Sequence, residues 1–168
     1  GKSTLIKIIT GVHQADEGQI FIDGKQTAVH SPIEARSLGI AAIYQELSLI
    51  ETLSVAENIF LGLEPTYSAL GICRRNEIYQ KSQAYLDEFK INIDCRKKVS
   101  ELGMGQKRIV EIVKALAINS KILLLDEPTT GMSKAEIDTL FKIMEMLKKK
   151  KVTMIYISHY LEEIFRVC

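Results

Sequence analysis

An excess of charge of either sign is missing: 22 basic residues against 21 acidic ones leave a formal net charge of +1. That balance removes any global electrostatic case for nucleic acid or an anionic membrane surface as a partner. Cysteine is scarce. Cys73, Cys95 and Cys168 have no Cys-x-x-Cys spacing and no histidine neighbours, which argues against a disulfide framework or a zinc site and fits a reducing compartment. No apolar run approaches the ~20 residues of a membrane-spanning helix. No internal repeat or low-complexity tract interrupts the chain. What remains is the composition of a globular domain, 46% hydrophobic and 26% charged, long enough at 168 residues to bury one core. The single charge run, Lys148 to Lys151, ends a helical pattern, where cations favour the negative pole of the helix dipole. It is predicted to be a solvated terminus.

Periodicity organises the rest. Leu5, Ile8 and Ile9 fit one face of a short helix that Gly11 can close. Gln19–Ile22 and Lys25–Val29 flank Asp23-Gly24, a two-residue hairpin signal. Glu34 to Ser37 reads as helix, and Ile40 to Tyr44 as a buried strand delivering Gln45 at its carboxyl end. From Glu46 to Ala117 the texture is mostly helical. A capping box, Ser54 with Glu57, opens one helix; others are expected over 76–90 and 105–117, with a loop over 64–74. Strand and helix then alternate again. Lys121–Asp126 is an apolar strand ending in acid, a helix over 133–150 opens on the box Ser133/Glu136, and a buried strand over 152–157 ends at Ser158-His159. Alternation at both ends around a helical insert predicts an α/β fold: a parallel sheet covered by helices, a small antiparallel hairpin, and an inserted helical subdomain.

In such a sheet ligands bind at the carboxyl ends of the strands. Gln45, the couple Asp126-Glu127 and His159 all fall at that edge. The opening Gly1-Lys2-Ser3-Thr4 resembles the second half of a phosphate-binding loop running into a helix. Lys2 would neutralise β- and γ-phosphate charge while backbone N–H groups cradle the oxygens. Ser3 and Asp126, with Gln45, would hold Mg²⁺, a hard ion that prefers oxygen. Glu127 would polarise the attacking water, and His159 would reach the γ-phosphate. Each feature has a plainer alternative: acidic pairs often just end strands, and lone histidines such as His13 and His30 read as structural.

Together, these residues resemble the ABC-type ATPases. Asp126-Glu127-Pro128-Thr129 after Ile-Leu-Leu-Leu resembles their Walker B strand, Ile43-Tyr44-Gln45-Glu46-Leu47 their Q-loop, and Tyr156-Ile157-Ser158-His159 their switch histidine. Leu102-Gly103-Met104-Gly105-Gln106 occupies the place of the signature motif, and Gly1–Thr4 looks like the end of a Walker A loop. Segments 43–50, 53–62, 110–116 and 158–165 are similar to the ATPase subunits of bacterial ribose- and galactose-type monosaccharide importers.

The resemblance implies a P-loop NTPase with a RecA-like core over 1–45 and 118–168 and a helical subdomain over about 46–117, truncated at both ends. It implies ATP and Mg²⁺ as ligands, with Gly1, Lys2, Ser3 and Thr4, and in trans Gly103, Met104, Gly105 and Gln106, binding nucleotide. Catalysis would fall to Glu127, His159 and Gln45. The implied partners are a second ATPase domain fused in the same polypeptide, transmembrane permease subunits and, indirectly, a periplasmic or lipid-anchored sugar-binding protein, but no nucleic acid. The implied place is the cytoplasmic side of the membrane. The rivals are an ABC-type ATPase without a membrane partner, serving translation or DNA repair, and an inactive remnant. One departure stands out: the family's signature serine is Gly103 here, which removes a charge-assisted hydrogen bond of about 1.5–3 kcal/mol. Residues 1–168 alone are expected to bind ATP poorly and hydrolyse none.

Overall fold

A computed structural model describes residues 1–67 and 72–167. Helix α1 (Lys2–Ile9) is closed by Gly11, whose N–H donates to the Ile8 carbonyl. Its buried residue is Ile6, whereas Leu5 is exposed and Ile8 and Ile9 are half-buried. The expected stripe is thus rotated, because α1 lies against the sheet and turns Ile6 towards Leu124 and Ile157.

Strands β1 (Ile20–Ile22) and β2 (Lys25–Thr27) form the predicted hairpin, with Ile22 opposite Lys25. Asp23 and Gly24, at φ 51° and 76°, supply the two left-handed residues that the favoured hairpin turn demands. Helix α2 (Pro32–Ser37) starts with the Ser31 hydroxyl accepting from the Glu34 N–H and proline in its first turn. Strand β3 (Ile40–Ile43) follows, then α3 (Val55–Ile59) behind the complete Ser54/Glu57 capping box.

The loop expected over 64–74 is instead partly paired. Short antiparallel strands β4 (Thr66–Tyr67) and β5 (Ile72–Cys73) face each other, and the middle of the expected loop, 68–71, lies outside the described residues. Two-residue strands are too short to leave a period in the sequence. Helix α4 (Arg75–Glu88), a 3-10 turn (Val99–Glu101) and α5 (Met104–Ala117) complete the helical stretch. Strand β6 (Ile122–Asp126), α6 (Lys134–Lys149), β7 (Thr153–Ile157) and α7 (Leu161–Val167) close the chain.

The main sheet is parallel, in the order β3-β6-β7. Successive side chains of β6 feed opposite faces, as strand geometry requires. Leu123 and Leu125 join the large cluster built on α3, α4, α5 and α6, while Leu124 joins Ile6, Ala35, Ile40 and Ile157 on the other face. All three leucines are completely buried. By contrast β7, expected to be buried, stands at one end of the sheet among the described strands: Thr153 and Ile155 are exposed and only Ile157 is buried. The lysine run also departs from a purely solvated terminus, since Lys150 pairs with Glu88 and sits 5.1 Å from the centre of the Phe89 ring.

Candidate active site

The three parallel strands end level. Ile43, Leu125 and Tyr156 stand side by side in register, so Tyr44, Asp126 and Ile157 come next, then Gln45, Glu127 and Ser158, and His159 one residue further on. Four of the candidate residues therefore leave the sheet at one edge. Two of them touch: Nδ1 of His159 lies 3.3 Å from Oε1 of Glu127.

Glu127 adopts φ +47°, the left-handed region that residues other than glycine rarely enter. Its N–H donates to the Ile157 carbonyl at 2.9 Å, which holds the residue against the end of β7. Such conformations cost on the order of 1–3 kcal/mol and cluster at functional sites. In this conformation the carboxylate lies against His159.

The loop carrying His159 is braced from α7. Oε2 of Glu163 accepts from the Tyr156 hydroxyl at 2.9 Å and from the Ser158 hydroxyl at 2.6 Å, and the Ser158 oxygen accepts from the Tyr160 N–H at 3.0 Å. Burial, reinforced by the bond to Glu163, pushes the Tyr156 phenol far above its usual range, so it stays a donor. The Tyr160 ring stacks beside His159 with centroids 4.0 Å apart.

Asp126 is only 6% exposed and has no ion-pair partner among the described residues. A buried, unpaired carboxylate of this kind suits a neighbouring cation. A serine hydroxyl, an aspartate and a glutamine amide would together offer an all-oxygen donor set, which fits Mg²⁺. Gly1, Lys2, Ser3 and Thr4 are exposed at the first turn of α1, a helix that lies over the strands bearing Asp126 and His159. At its other end, the Thr10 hydroxyl accepts from the Tyr44 hydroxyl at 2.9 Å, tying α1 to the residue before Gln45.

Residues Gly103 to Gln106 form a separate feature. No hydrogen bond or ion pair among the described residues links them to Lys2, Gln45, Asp126, Glu127 or His159. Gly103 and Met104 are exposed at the start of α5, with the Gly103 N–H bonded to Oε1 of Gln106. Gly105 is buried against α6, where an added Cβ would sit 2.1 Å from the Glu136 carboxyl carbon. A larger residue there would have to displace the Glu136 carboxylate from its bonds to the Ser133 N–H and hydroxyl.

Sequence reasoning missed Arg108 and Glu111. Both lie within α5, 3% and 5% exposed, and pair at 2.7 Å. Arg108 donates to the carbonyls of Tyr44 and Gln45, each at 2.6 Å, and Oε1 of Glu111 accepts from the Ser48 N–H at 2.6 Å and hydroxyl at 3.0 Å. The available signal was a charged pair, three residues apart, on a helix whose apolar residues already cover most of its circumference. Beside this loop a cavity of about 210 Å³ is lined by Arg36, Tyr44, Ser48, Glu111 and Lys114, among others. Burial pulls the Lys114 amine below its usual range, opposed by Glu111 and aided by Arg36.

A parallel sheet delivering these polar groups at one edge, beside a helix that opens on Gly-Lys-Ser, has the P-loop fold of the ATP-binding cassettes of ABC transporters. The chain belongs to the ABC transporter family, whose model matches residues 1–130. It is 44% identical, over its whole length, to the ribose import ATP-binding protein RbsA of Clostridium perfringens, and spans 34% of that protein. A putative ribose/galactose/methyl galactoside import ATP-binding protein of Halalkalibacterium halodurans is 43% identical over 98% of the chain, which spans 31% of it. Among solved structures, the ADP conformation of MJ1267, an ATP-binding cassette of an ABC transporter, superposes with a TM-score of 0.81 at 29% identity, covering 99% of this chain and 69% of that one. The chain thus spans about a third of the length of the curated relatives it matches. These relatives give no support to a translation or DNA-repair role.

Proposed function

We propose that these residues are the first nucleotide-binding domain of an ATPase that drives monosaccharide import, working within a longer polypeptide that carries a second such domain. The observation that carries this reading is the Glu127–His159 contact at 3.3 Å, formed at the ends of adjacent parallel strands beside the buried Asp126. The names of the relatives support the sugar, and their threefold greater length supports the second domain.

The roles follow from chemistry. Lys2 and the first N–H groups of α1 would bind the β- and γ-phosphates of ATP, with Gly1 and Thr4 in the same turn. Ser3, Asp126 and Gln45 would hold Mg²⁺, which when bound supplies charge neutralisation at the phosphates. Among the described residues no three acidic, histidine or cysteine side chains alone could cage a metal, so hydroxyl, amide and phosphate oxygens would complete the shell. Glu127 would accept a proton from the attacking water. His159, steadied by that carboxylate and by the Glu163 brace, would donate to the γ-phosphate as charge develops.

The domain divides into a core of 1–45 and 118–168 and a helical part of about 46–117. Gly103, Met104, Gly105 and Gln106 would meet the nucleotide held by the opposite domain, which accounts for their standing apart from the other candidates. Closure and reopening of the pair would reach permease subunits through the Gln45 loop and the adjoining cavity, as a population shift. A sugar-binding protein would act only through those subunits, and the ATPase would sit peripherally on the cytoplasmic face of the membrane. The test is Glu127→Gln in the full-length polypeptide. ATP binding should persist while turnover falls about 10²–10⁴-fold. Unchanged turnover would remove Glu127 from its role and the reading with it.

A further inference from the structure

We infer that Arg108 and Glu111 act as positioning residues for Gln45, making the orientation of that side chain a property of helix α5. The inference rests on the proposed ATPase reading and deepens it. Two guanidinium nitrogens of Arg108 hold consecutive carbonyls, those of Tyr44 and Gln45. These carbonyls belong to the two peptide planes that flank the Cα of Gln45. Because each plane is rigid, pinning both fixes the Cα–Cβ direction and hence where the exposed amide can reach. Glu111 completes the clamp from the far side, one oxygen holding Arg108 and the other the Ser48 backbone and hydroxyl. A loop whose tip is exposed is thus secured at both ends by one buried ion pair.

The pair is costly to keep buried for stability alone, since apolar replacements of matched volume often serve as well. What an apolar pair cannot supply is directional hold on three backbone groups. Arg108 also stands five residues after Gly103 on the same helix, about 7.5 Å along its axis. Any displacement of the α5 N-terminus, the segment proposed to meet a second domain's nucleotide, is therefore passed to the loop of Gln45 without a flexible joint between them.

The experiment uses the full-length polypeptide with the double substitution Arg108→Met/Glu111→Leu, which removes both charges and leaves neither orphaned. A core truncation remote from the loop, Ile143→Val, controls for general destabilisation. Amide hydrogen exchange at residues 45–48 and steady-state ATPase kinetics are read on each protein. Exchange at Ser48, whose N–H the pair holds directly, should accelerate at least about tenfold while residues 109–116 keep their protection, and kcat should drop about 10–100-fold with KM for ATP held within about twofold. The control should shift neither. Unaltered exchange at Ser48 would overturn the clamp. Faster exchange with intact kcat, or a kcat loss matched by Ile143→Val, would overturn its catalytic purpose. Absence of turnover in the unsubstituted protein would instead sink the ATPase reading, and exchange would still decide whether the pair holds the loop.

Discussion

Gly103 stands at the N-cap of α5 with φ −67° and ψ 161°, a conformation open to any residue, and an added Cβ there meets nothing within 4 Å. Serine therefore fits without adjustment. Gly103→Ser should cap the helix a few tenths of a kcal/mol better than glycine does. On the proposed reading, its hydroxyl would reach a phosphate held by the opposite domain, the contact implied by the resemblance of 102–106 to the family signature. The expected outcome in the full-length protein is a higher steady-state ATPase rate, measured at saturating ATP, and an equal rate would show that this hydroxyl does not limit turnover. At this scale the sequence was readable wherever a polar residue followed an apolar run. Glu127 and His159 were visible because an apolar strand of a parallel sheet deposits whatever follows it at the carboxyl edge. Arg108 was not, because its partners Tyr44 and Gln45 lie 64 and 63 positions away and no local pattern announces them.

Among the elements, capping chemistry was legible and short pairing was not. The Ser54/Glu57 and Ser133/Glu136 boxes start α3 and α6 where predicted, since the reciprocal bonds involve only four consecutive residues. The β4/β5 pair is too short to leave a period in the sequence, and the turn of α1 onto Ile6 depends on Leu124 and Ile157, far along the chain, so propensity alone could not place either. The first box also makes a pH prediction. Hydrogen bonds from the Ser54 N–H and hydroxyl hold the Glu57 carboxyl below its usual range, outweighing the opposing effect of burial. A group whose pKa is lowered on folding lends stability above its unfolded pKa and loses it as pH falls through the folded one. The Tm gap between the protein and Glu57→Gln should therefore be largest near neutrality and close below the ordinary carboxylate range. A gap independent of pH would exclude the carboxylate as its source.

For the molecule as a whole, the parallel sheet and its helical cover were legible from alternation, because buried strands and amphipathic helices leave different periods. The exposure of Thr153 and Ile155 on β7 was not, since an apolar run gives no strand order, and among the described strands that order leaves β7 with β6 alone as its neighbour. The outward row of β7 matters beyond catalysis. Among the described strands its far side has no neighbour, and Ile155 there is 37% exposed. Backbone groups left without a mate in this way recruit a foreign strand when none of their own is at hand. Produced by itself, the polypeptide should therefore stick to its own copies through that margin, and light scattering should rise with concentration well before the helices melt.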